Sequence, residues 1–335
     1  MKSDAIGDIR TGVCANLYNA YLTANAISAA WELGLLDAIR EGPVGLDEFC
    51  GQQSLDAGIV EEIARALLVS DIVTVTMDPT TISAGPNFAE IYQVKGIFFW
   101  ATKGSSSVFV HAATIARSGW SEEPALARDP SAIAKGCADI GRLFIDPAFH
   151  RIVGRANPRN IVDLGCGRAT RLIDLLILDS TRRGLGIELS AGALADARVA
   201  VQDAGLADRI DLLQGDARSL DPDPRLADAD TIISYLTGHD LWPFQNCIGA
   251  LDRLRELAPR ARNFYLVDTY RTANPWTDRP PLFTLGFELA HQLMDTYIPT
   301  REEWLAAFDA SAWRCVGTHE LAMPPNTALF NLVPR

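Results

Sequence analysis

The sequence is short of basic residues, has no long apolar run and lacks closely spaced cysteines. Its 30 Lys and Arg residues are outnumbered by 42 Asp and Glu residues, giving a formal charge of −12. No nucleic-acid partner is therefore expected, because phosphate contacts require clustered basic side chains. No apolar run approaches the roughly 20 residues of a membrane span, so no membrane partner is expected. The six cysteines form no CxxC pair, which favours reduced thiols over a disulfide framework or a zinc site.

The opening stretch, MKSDAIGDIRTGVC, has no apolar segment of the kind that a secretory signal contains. Together with the scattered thiols, this predicts a cytoplasmic protein. Apolar residues make up 48% and charged residues 21%, which is the balance of a globular protein. At roughly 150 residues per domain, the length of 335 residues predicts two domains.

The first half of the chain has helical periodicity. Apolar spacing predicts a helical stretch over about 11–40 and an amphipathic helix over 57–70. Short β-like pieces follow at 72–75 and 81–83, separated by Asp78-Pro79. This order is typical of a winged helix.

DNA binding by such a unit would require basic residues on its third helix, which instead carries Glu61, Glu62 and Arg65. A dimerisation or lid domain is therefore the stronger hypothesis, and a winged-helix regulator that binds DNA is the weaker one. Near Asn157-Pro158 the sequence pattern changes from mainly helical to alternating strand-like and helical segments. We therefore predict an N-terminal domain over 1–156 and a second domain over 157–335.

Apolar runs alternate with helical segments in the second half. Strands are predicted at 160–164, 184–188, 210–213, 231–235 and 264–268. This alternation predicts an α/β fold, a Rossmann-like parallel sheet with helices on both faces. Two last runs, 314–319 and 328–333, predict an antiparallel hairpin at the sheet edge.

Carboxylates end or follow the first three of these strands. The first strand leads into VDLGCGRAT, in which Asp163 precedes two glycines that allow a tight turn and close approach of a ligand. Glu188 ends the second strand, where an acidic group can accept two ribose hydroxyls. Asp216 follows the third, where it can accept the exocyclic amine of adenine. Three acidic strand ends suit an adenosine ligand without phosphates, because they would repel a pyrophosphate.

This pattern resembles the class I S-adenosylmethionine-dependent methyltransferases over roughly residues 158–335. The resemblance implies S-adenosylmethionine as the cofactor, with the Gly165–Gly167 loop against its methionine portion. The implied cofactor-binding residues are Asp163, Gly165, Gly167, Glu188, Leu189, Gly215, Asp216, Ala217, Ser234 and Tyr235.

The fourth strand is followed by TGHDLWP, at the carboxyl end where an open α/β sheet usually carries its reaction site. The run HDLWPFQNCIGALDRLRELAP resembles small-molecule O-methyltransferases with an N-terminal winged-helix dimerisation domain. In that group the His-Asp pair supplies a general base, for which an imidazole is suited by its pKa near 7. One hypothesis is therefore a metal-independent O-methyltransferase with His239 as the base. The sequence departs from that group at Leu241-Trp242-Pro243, where a Trp and acidic residues are usual.

Three runs are similar to the 2-oxo acid C3-methyltransferases of nonribosomal-peptide pathways, of the phenylpyruvate methyltransferase type: GHDLWPFQNC, DTYRTANPWTDRPPLFTLGFELAHQLMDTYIPT and AYLTANAISAAWELGLLDAIRE. The resemblance covers nearly the whole chain. It implies a non-haem iron, Fe(II) or Fe(III), held by His239, Asp240 and His291, the last on a helix predicted over about 281–297. It implies methylation of C3 of an arylpyruvate such as phenylpyruvate through an iron-chelated enolate, for β-methyl amino acid and antibiotic biosynthesis. It also implies a homodimer formed through the N-terminal domain.

The same resemblance places Arg128 near the substrate carboxylate, and Trp100 and Ser105 in the substrate pocket. Phe283 and Phe287 are further predicted pocket walls, and this aromatic lining favours an arylpyruvate.

Asp295 leaves the identity of the substrate undecided. It follows His291 by four residues, which predicts that both lie on one helix face. Its carboxylate could bind a guanidinium or an indole N–H, or hydrogen-bond to a ligand histidine. A guanidino or aliphatic 2-oxo acid, of the 2-ketoarginine kind, is therefore an alternative substrate.

Overall fold

The computed structural model describes residues 11–77, 80–121, 123–274, 276 and 280–335. The chain forms two compact units, Met1–His111 with Glu122–Leu143 and Ala112–Ser121 with Phe144–Arg335. Asp78-Pro79, which separates the two predicted β-like pieces, and most of the opening stretch lie outside the described residues. Within those residues, no helix combines the length and the apolar character needed to span a membrane. The boundary predicted between residues 156 and 157 stays a prediction.

The elements are numbered along the chain. The helices are α1 (Val13–Glu32), α2 (Leu35–Glu41), α3 (Leu46–Gln53), α4 (Ala57–Leu68), α5 (Phe88–Phe99), α6 (Ser106–Val110), α7 (Ala112–Ser118), α8 (Pro130–Ile140), α9 (Asp146–Arg155), α10 (Thr170–Ile177), α11 (Ala191–Asp203), α12 (Pro224–Ala227), α13 (Phe244–Leu257), α14 (Thr284–Leu293) and α15 (Arg301–Ala310). Single π-helical turns occur at Trp100–Gly104 and Gly141–Ile145, and a 3-10 turn at Gly238–Leu241. The strands are β1 (Val44–Gly45), β2 (Val73–Met77), β3 (Thr80–Ala84), β4 (Asn160–Leu164), β5 (Arg183–Glu188), β6 (Ile210–Gln214), β7 (Thr231–Tyr235), β8 (Asn263–Thr269), β9 (Trp313–Leu321) and β10 (Thr327–Pro334).

The N-terminal unit is mainly helical and contains a small antiparallel sheet in the order β1-β3-β2. The predicted order of helices followed by two wing strands is confirmed. The helical stretch predicted over about 11–40 is divided in the structure into α1 and α2. Gly34 has φ 77° there, a left-handed conformation that glycine adopts without a Cβ clash.

The C-terminal unit is built on a seven-stranded sheet in the order β6-β5-β4-β7-β8-β10-β9. The five strands from β6 to β8 are parallel, and β10 and β9 add antiparallel pairs at one edge. The predicted Rossmann-like sheet and its edge hairpin are thereby confirmed. The chain reverses its winding direction between β4 and β7, and the carboxyl ends of those strands flank the crevice where such sheets bind ligands.

Two apolar layers cover the faces of this sheet. One contains Trp304, Trp313 and Phe330, all buried, with the indole of Trp304 stacked on Phe308 at 5.5 Å between ring centroids. The other contains Phe149 and the inward side of α10. Because both faces are covered, β4 and β7 are buried at nearly every position rather than at alternating ones.

Candidate active site

A cavity of about 470 Å³ lies at the carboxyl ends of the parallel strands. Segments that follow β4, β5, β6, β7 and α14 line it. The lining includes Gly165, Glu188, Leu189, Gly215, Asp216, Ala217, His239, Asp240 and Asp295. The structure therefore brings most of the predicted cofactor-binding residues into one space with two of the predicted catalytic residues.

The glycine-rich loop after β4 is fixed by close contacts. Gly165 has φ 70°, and a Cβ at this position would lie 2.6 Å from Thr237 Cγ2. The backbone N–H of Gly167 donates to Glu188 Oε2 at 2.9 Å. The loop thus requires glycine at position 165 for both conformation and space.

Both carboxylate oxygens of Glu188 accept backbone hydrogen bonds, Oε2 from Gly167 and Oε1 from Ser190 N–H at 2.9 Å. These bonds fix the orientation of the carboxylate at the end of β5. A carboxylate offers about four acceptor sites, so acceptor capacity remains for two ribose hydroxyls.

The predicted cofactor residues Asp163, Ser234 and Tyr235 are buried in β4 and β7. Burial raises the pKa of Asp163 to about 7, against the opposing effect of the nearby Arg171 charge. The Arg171 guanidinium lies over the Tyr235 ring, 3.2 Å from its centroid. Ser234 Oγ shares a hydrogen bond with the hydroxyl of Thr237 at 2.8 Å.

His239 is buried in the turn after β7 and is oriented by Asp268 on β8. Its Nδ1 donates to Asp268 Oδ1 at 2.8 Å, and its backbone N–H donates to Asp268 Oδ2 at 2.7 Å. The Asp268 side chain is fully buried. In the neutral imidazole this arrangement places the proton on Nδ1 and the lone pair on Nε2. Nε2 is therefore the atom that can accept a proton or bind a metal.

Asp268 is absent from the predicted site residues. Its position at the end of a predicted strand was a clue to a place in the site. The sequence did not show, however, that this strand end lies beside His239.

His291 lies on α14 next to His239, and the two ring centroids are 5.0 Å apart at 87°. Its Nδ1 donates to the backbone carbonyl of Phe287 at 2.7 Å. Because a carbonyl oxygen only accepts, the neutral His291 ring also has its lone pair on Nε2. The Phe287 ring packs 4.1 Å from His291 and 5.6 Å from His239 between centroids.

The predicted iron ligands have the donor atoms that a metal requires, but their side chains are not gathered around one point. Asp240 Oδ1 lies 3.9 Å from His239 Nε2, and its side chain is 61% exposed. Two imidazoles and a carboxylate are the donor set typical of non-haem iron. The hydrogen bonds made by both Nδ1 atoms are those that usually orient metal-binding histidines. Nevertheless, no three His, Cys, Asp or Glu side chains in the described ranges are grouped closely enough to hold a metal ion.

The helix predicted over 281–297 is too long, since α14 ends at Leu293. Asp295 lies beyond it with φ 56°, and Thr296 N–H donates back to the His291 carbonyl at 2.8 Å. A left-handed residue followed by such a bond is a common helix stop. The prediction that Asp295 and His291 share a helix face is therefore wrong, although Asp295 lines the cavity.

Of the remaining predicted substrate residues, Phe283 is half-buried with its ring 5.2 Å from that of Phe287. Trp100 and Ser105 are buried in the N-terminal unit, and Arg128 is half-buried just before α8. Their place at the substrate stays a prediction.

The chain is similar to known proteins that are named methyltransferases. A family model described as a methyltransferase domain matches residues 161–258. The methyltransferase ungE' of Aspergillus campestris (strain IBT 28561) is 34% identical over 95% of this chain and 96% of its own length. The indolepyruvate C-methyltransferase of Streptomyces griseus is 26% identical over 96% and 95%, respectively.

Among solved structures, human N-acetylserotonin methyltransferase in complex with SAM superimposes with a TM-score of 0.69. It is 17% identical, and the match covers 100% of this chain and 99% of that one, which shows a shared fold. The match to the Aspergillus relative shows more than a shared fold, because it spans both units at more than 30% identity. The chain therefore belongs to the S-adenosylmethionine-dependent class I methyltransferases.

Proposed function

We propose that this protein transfers the methyl group of S-adenosylmethionine to C3 of a 2-oxo acid, an arylpyruvate such as phenylpyruvate. The observation that carries the proposal is the pair of adjacent buried imidazoles, His239 and His291, each with its Nε2 lone pair set by a hydrogen bond at Nδ1. The similarity to a C-methyltransferase of indolepyruvate, itself a 2-oxo acid, supports the same reaction class.

In this proposal the cofactor occupies the cavity at the strand ends. Glu188 accepts the ribose hydroxyls, and Asp216 accepts the adenine amine. The Gly165–Gly167 loop lies against the methionine portion. The remaining predicted cofactor residues surround these groups, with Leu189 and Ala217 in the cavity wall.

The C3–H bond of a 2-oxo acid is weakly acidic, and loss of its proton to solvent water leaves the electron pair on C3 as a carbon nucleophile. His239, Asp240 and His291 would hold a metal, which when bound supplies a Lewis acid that makes this proton easier to remove. Asp268 and the Phe287 carbonyl hold the protons on Nδ1 and keep both Nε2 atoms directed away from these partners. The Phe287 ring excludes water beside both histidines.

Methyl transfer then forms the C3–CH3 bond and breaks the bond between sulfur and the methyl carbon, leaving S-adenosylhomocysteine. The chain's contribution to this step is to place the two carbons about 3 Å apart and in line with the sulfur.

The position of the transferred methyl group tests the proposal. The protein is incubated with S-adenosylmethionine labelled with carbon-13 in the methyl group and with phenylpyruvate or indolepyruvate, and the product is analysed by NMR. We expect a methyl signal coupled to a proton at C3. A signal typical of an O-methyl group, or no product from any 2-oxo acid, would contradict the proposal.

A metal-independent O-methyltransferase is the second candidate. The His239–Asp268 pair favours it, because a carboxylate at Nδ1 and a lone pair at Nε2 are what a general base requires. This candidate predicts methylation of a phenol that persists in a strong chelator.

Asp295 is expected to set substrate preference. Its exposed carboxylate lies in the same cavity as His239 and Asp240 and would attract a guanidinium or an N–H donor. In Asp295→Ala we expect kcat/KM for guanidino 2-oxo acids or indolepyruvate to fall relative to phenylpyruvate, with unchanged affinity for S-adenosylmethionine. Competition assays with paired substrates measure this ratio, and an unchanged ratio would remove Asp295 from substrate recognition.

We also propose that α1 pairs two copies of the chain. Its first half exposes apolar side chains: Val13, Leu17, Tyr18, Tyr21 and Leu22. Such a patch is typical of a protein interface.

The double variant Leu17→Glu/Tyr21→Glu should not pair, because pairing would bury its two new charges. In analytical ultracentrifugation we expect the mass of a dimer for the wild type and the mass of a monomer for the variant. A wild type that sediments as a monomer at micromolar concentration would refute the pairing.

A further inference from the structure

Glu288, on α14, joins this helix to the segment that follows β8, and the proposed function does not use this contact. Its Oε1 accepts two hydrogen bonds from Thr272 at 2.7 Å, one from the backbone N–H and one from the side-chain hydroxyl. Thr272 follows β8, which ends at Thr269, whereas the chain reaches α14 only at Thr284. The two hydrogen bonds therefore attach α14 directly to the end of β8, in addition to the covalent connection over 270–283.

The residue before Thr272 contacts the segment that follows α14. The backbone N–H of Arg271 donates to the carbonyl of Pro299 at 2.9 Å, and its Nη2 donates to the Tyr297 hydroxyl at 3.0 Å. The Arg271 guanidinium also lies 5.1 Å from the centroid of the Tyr297 ring. Arg271 and Thr272 thus contact both α14 and the chain that leaves it, and Glu288 is the partner that lies on the helix itself.

The same strand orients the other histidine of the site. Asp268, near the end of β8, accepts from Nδ1 of His239 at 2.8 Å. Glu288 lies three residues before His291 on α14, which is less than one helical turn. The two imidazole centroids are 5.0 Å apart. This separation depends on where α14 lies relative to β8, and the bonds to Thr272 fix that relation.

The contact requires an acceptor oxygen rather than a negative charge. A single oxygen of Glu288 accepts both bonds from Thr272, and the carbonyl oxygen of an amide also has two lone pairs. Glutamine could therefore make the same contact, whereas alanine would remove the acceptor for both Thr272 donors. Glu288 is not among the residues that line the cavity with His239, so its effect on the site would pass through the position of α14.

We propose that Glu288 is a positioning residue for His291. By accepting from Thr272, it holds α14 at the distance from β8 at which His291 meets His239. The inference rests on the proposed function, in which the two histidines act together. A displacement of about 1 Å in a reaction site can lower the rate by about 100-fold, so the loss of a contact outside the cavity can have a large effect on the reaction.

The chain offers a matched control at Glu320. This carboxylate also accepts two hydrogen bonds, from the Tyr270 hydroxyl at 2.8 Å and from Arg301 Nε at 3.0 Å. It therefore joins the same segment after β8 to β9 and α15, but not to α14. A general need for contacts at this end of the unit would make Glu288 and Glu320 equivalent.

Steady-state kinetics with phenylpyruvate and indolepyruvate test the inference on the full chain, at a temperature where every variant is folded. We expect Glu288→Ala to lower kcat by about 10-fold to 100-fold, with unchanged affinity for S-adenosylhomocysteine. Glu288→Gln should recover most of the loss, because its amide oxygen can accept both bonds. Glu320→Ala should keep wild-type kcat.

A double-mutant cycle shows whether Glu288 acts through His291. If it does, Glu288→Ala should lower kcat no further in the His291→Ala background, whereas independent effects would add. Calorimetric titration with Co²⁺, after bound metal has been removed with a chelator, gives a second measurement without turnover. Glu288→Ala should bind Co²⁺ about 10-fold to 100-fold more weakly than the wild type, and Glu288→Gln should bind it nearly as well.

Three results would overturn the role of Glu288 while leaving the proposed reaction in place. They are wild-type kcat and Co²⁺ affinity in Glu288→Ala, equal losses in Glu288→Ala and Glu288→Gln, and additive losses in the double variant. A wild type that neither methylates a 2-oxo acid nor binds Co²⁺ would instead overturn the inference together with the proposed function.

Discussion

Alanine at His239 is expected to lower kcat of methyl transfer by about 100-fold to 10,000-fold, the usual contribution of a general base. In the O-methyltransferase candidate Nε2 of His239 accepts the hydroxyl proton. In the proposed C3-methyltransferase Nε2 would instead hold the metal, and alanine removes that ligand, so a loss of activity is expected under either candidate. Affinity for S-adenosylhomocysteine should stay unchanged, because the contacts proposed for the cofactor are made by Glu188 and Asp216. Steady-state kinetics and calorimetry measure the two effects.

His319→Ala is the control for this variant, since His319 is exposed on β9. It should keep wild-type kcat. A His239→Ala enzyme with near wild-type kcat would exclude His239 from the chemistry under either candidate function.

Asp268→Asn should have the second-largest effect, a loss of about 10-fold to 100-fold in activity or metal affinity. Asparagine has nearly the same shape, but its amide can present a donor to Nδ1, and the opposite tautomer then places the proton on Nε2. The lone pair needed at that atom would be lost. Because the Asp268 side chain is fully buried, we also expect Asp268→Asn to have a lower melting temperature than the wild type.

A matched variant separates the two consequences. Asp252 is not among the residues that line the cavity, and it accepts a backbone hydrogen bond from Ala312 at 2.6 Å. Asp252→Asn should therefore lower stability while leaving kcat unchanged. If Asp268→Asn keeps wild-type kcat at a temperature where it is folded, the orienting role of Asp268 is refuted.

The sheet could be predicted because its strands carry their own signals. The segments that form β4 and β7 contain the adjacent apolar pairs Ile161-Val162 and Ile232-Ile233, which are typical of strands covered on both faces. Acidic side chains at successive strand ends indicated where an adenosine would lie, since parallel strands bring their carboxyl ends to one edge of the sheet.

The parts that sequence reasoning missed depend on spatial neighbours or on local chain stops. Asp268 meets His239 only because β8 lies beside β7, and the two residues are 29 positions apart. The end of α14 was misplaced because the residue that stops it is an aspartate in a left-handed conformation, a role more often taken by glycine. The contact of Glu288 with Thr272 depends on the path of the chain between them, which residue spacing does not specify.

Metal content tests the central claim most directly. Elemental analysis of untagged wild type and His291→Ala is combined with a methylation assay in the presence and absence of a strong chelator. The proposed C3-methyltransferase should carry near-stoichiometric iron, lose it in His291→Ala, and stop methylating 2-oxo acids when chelated. Absence of bound metal from both proteins, with methyl transfer that survives the chelator, would contradict the metal site and favour His239 as a base acting on a hydroxyl substrate.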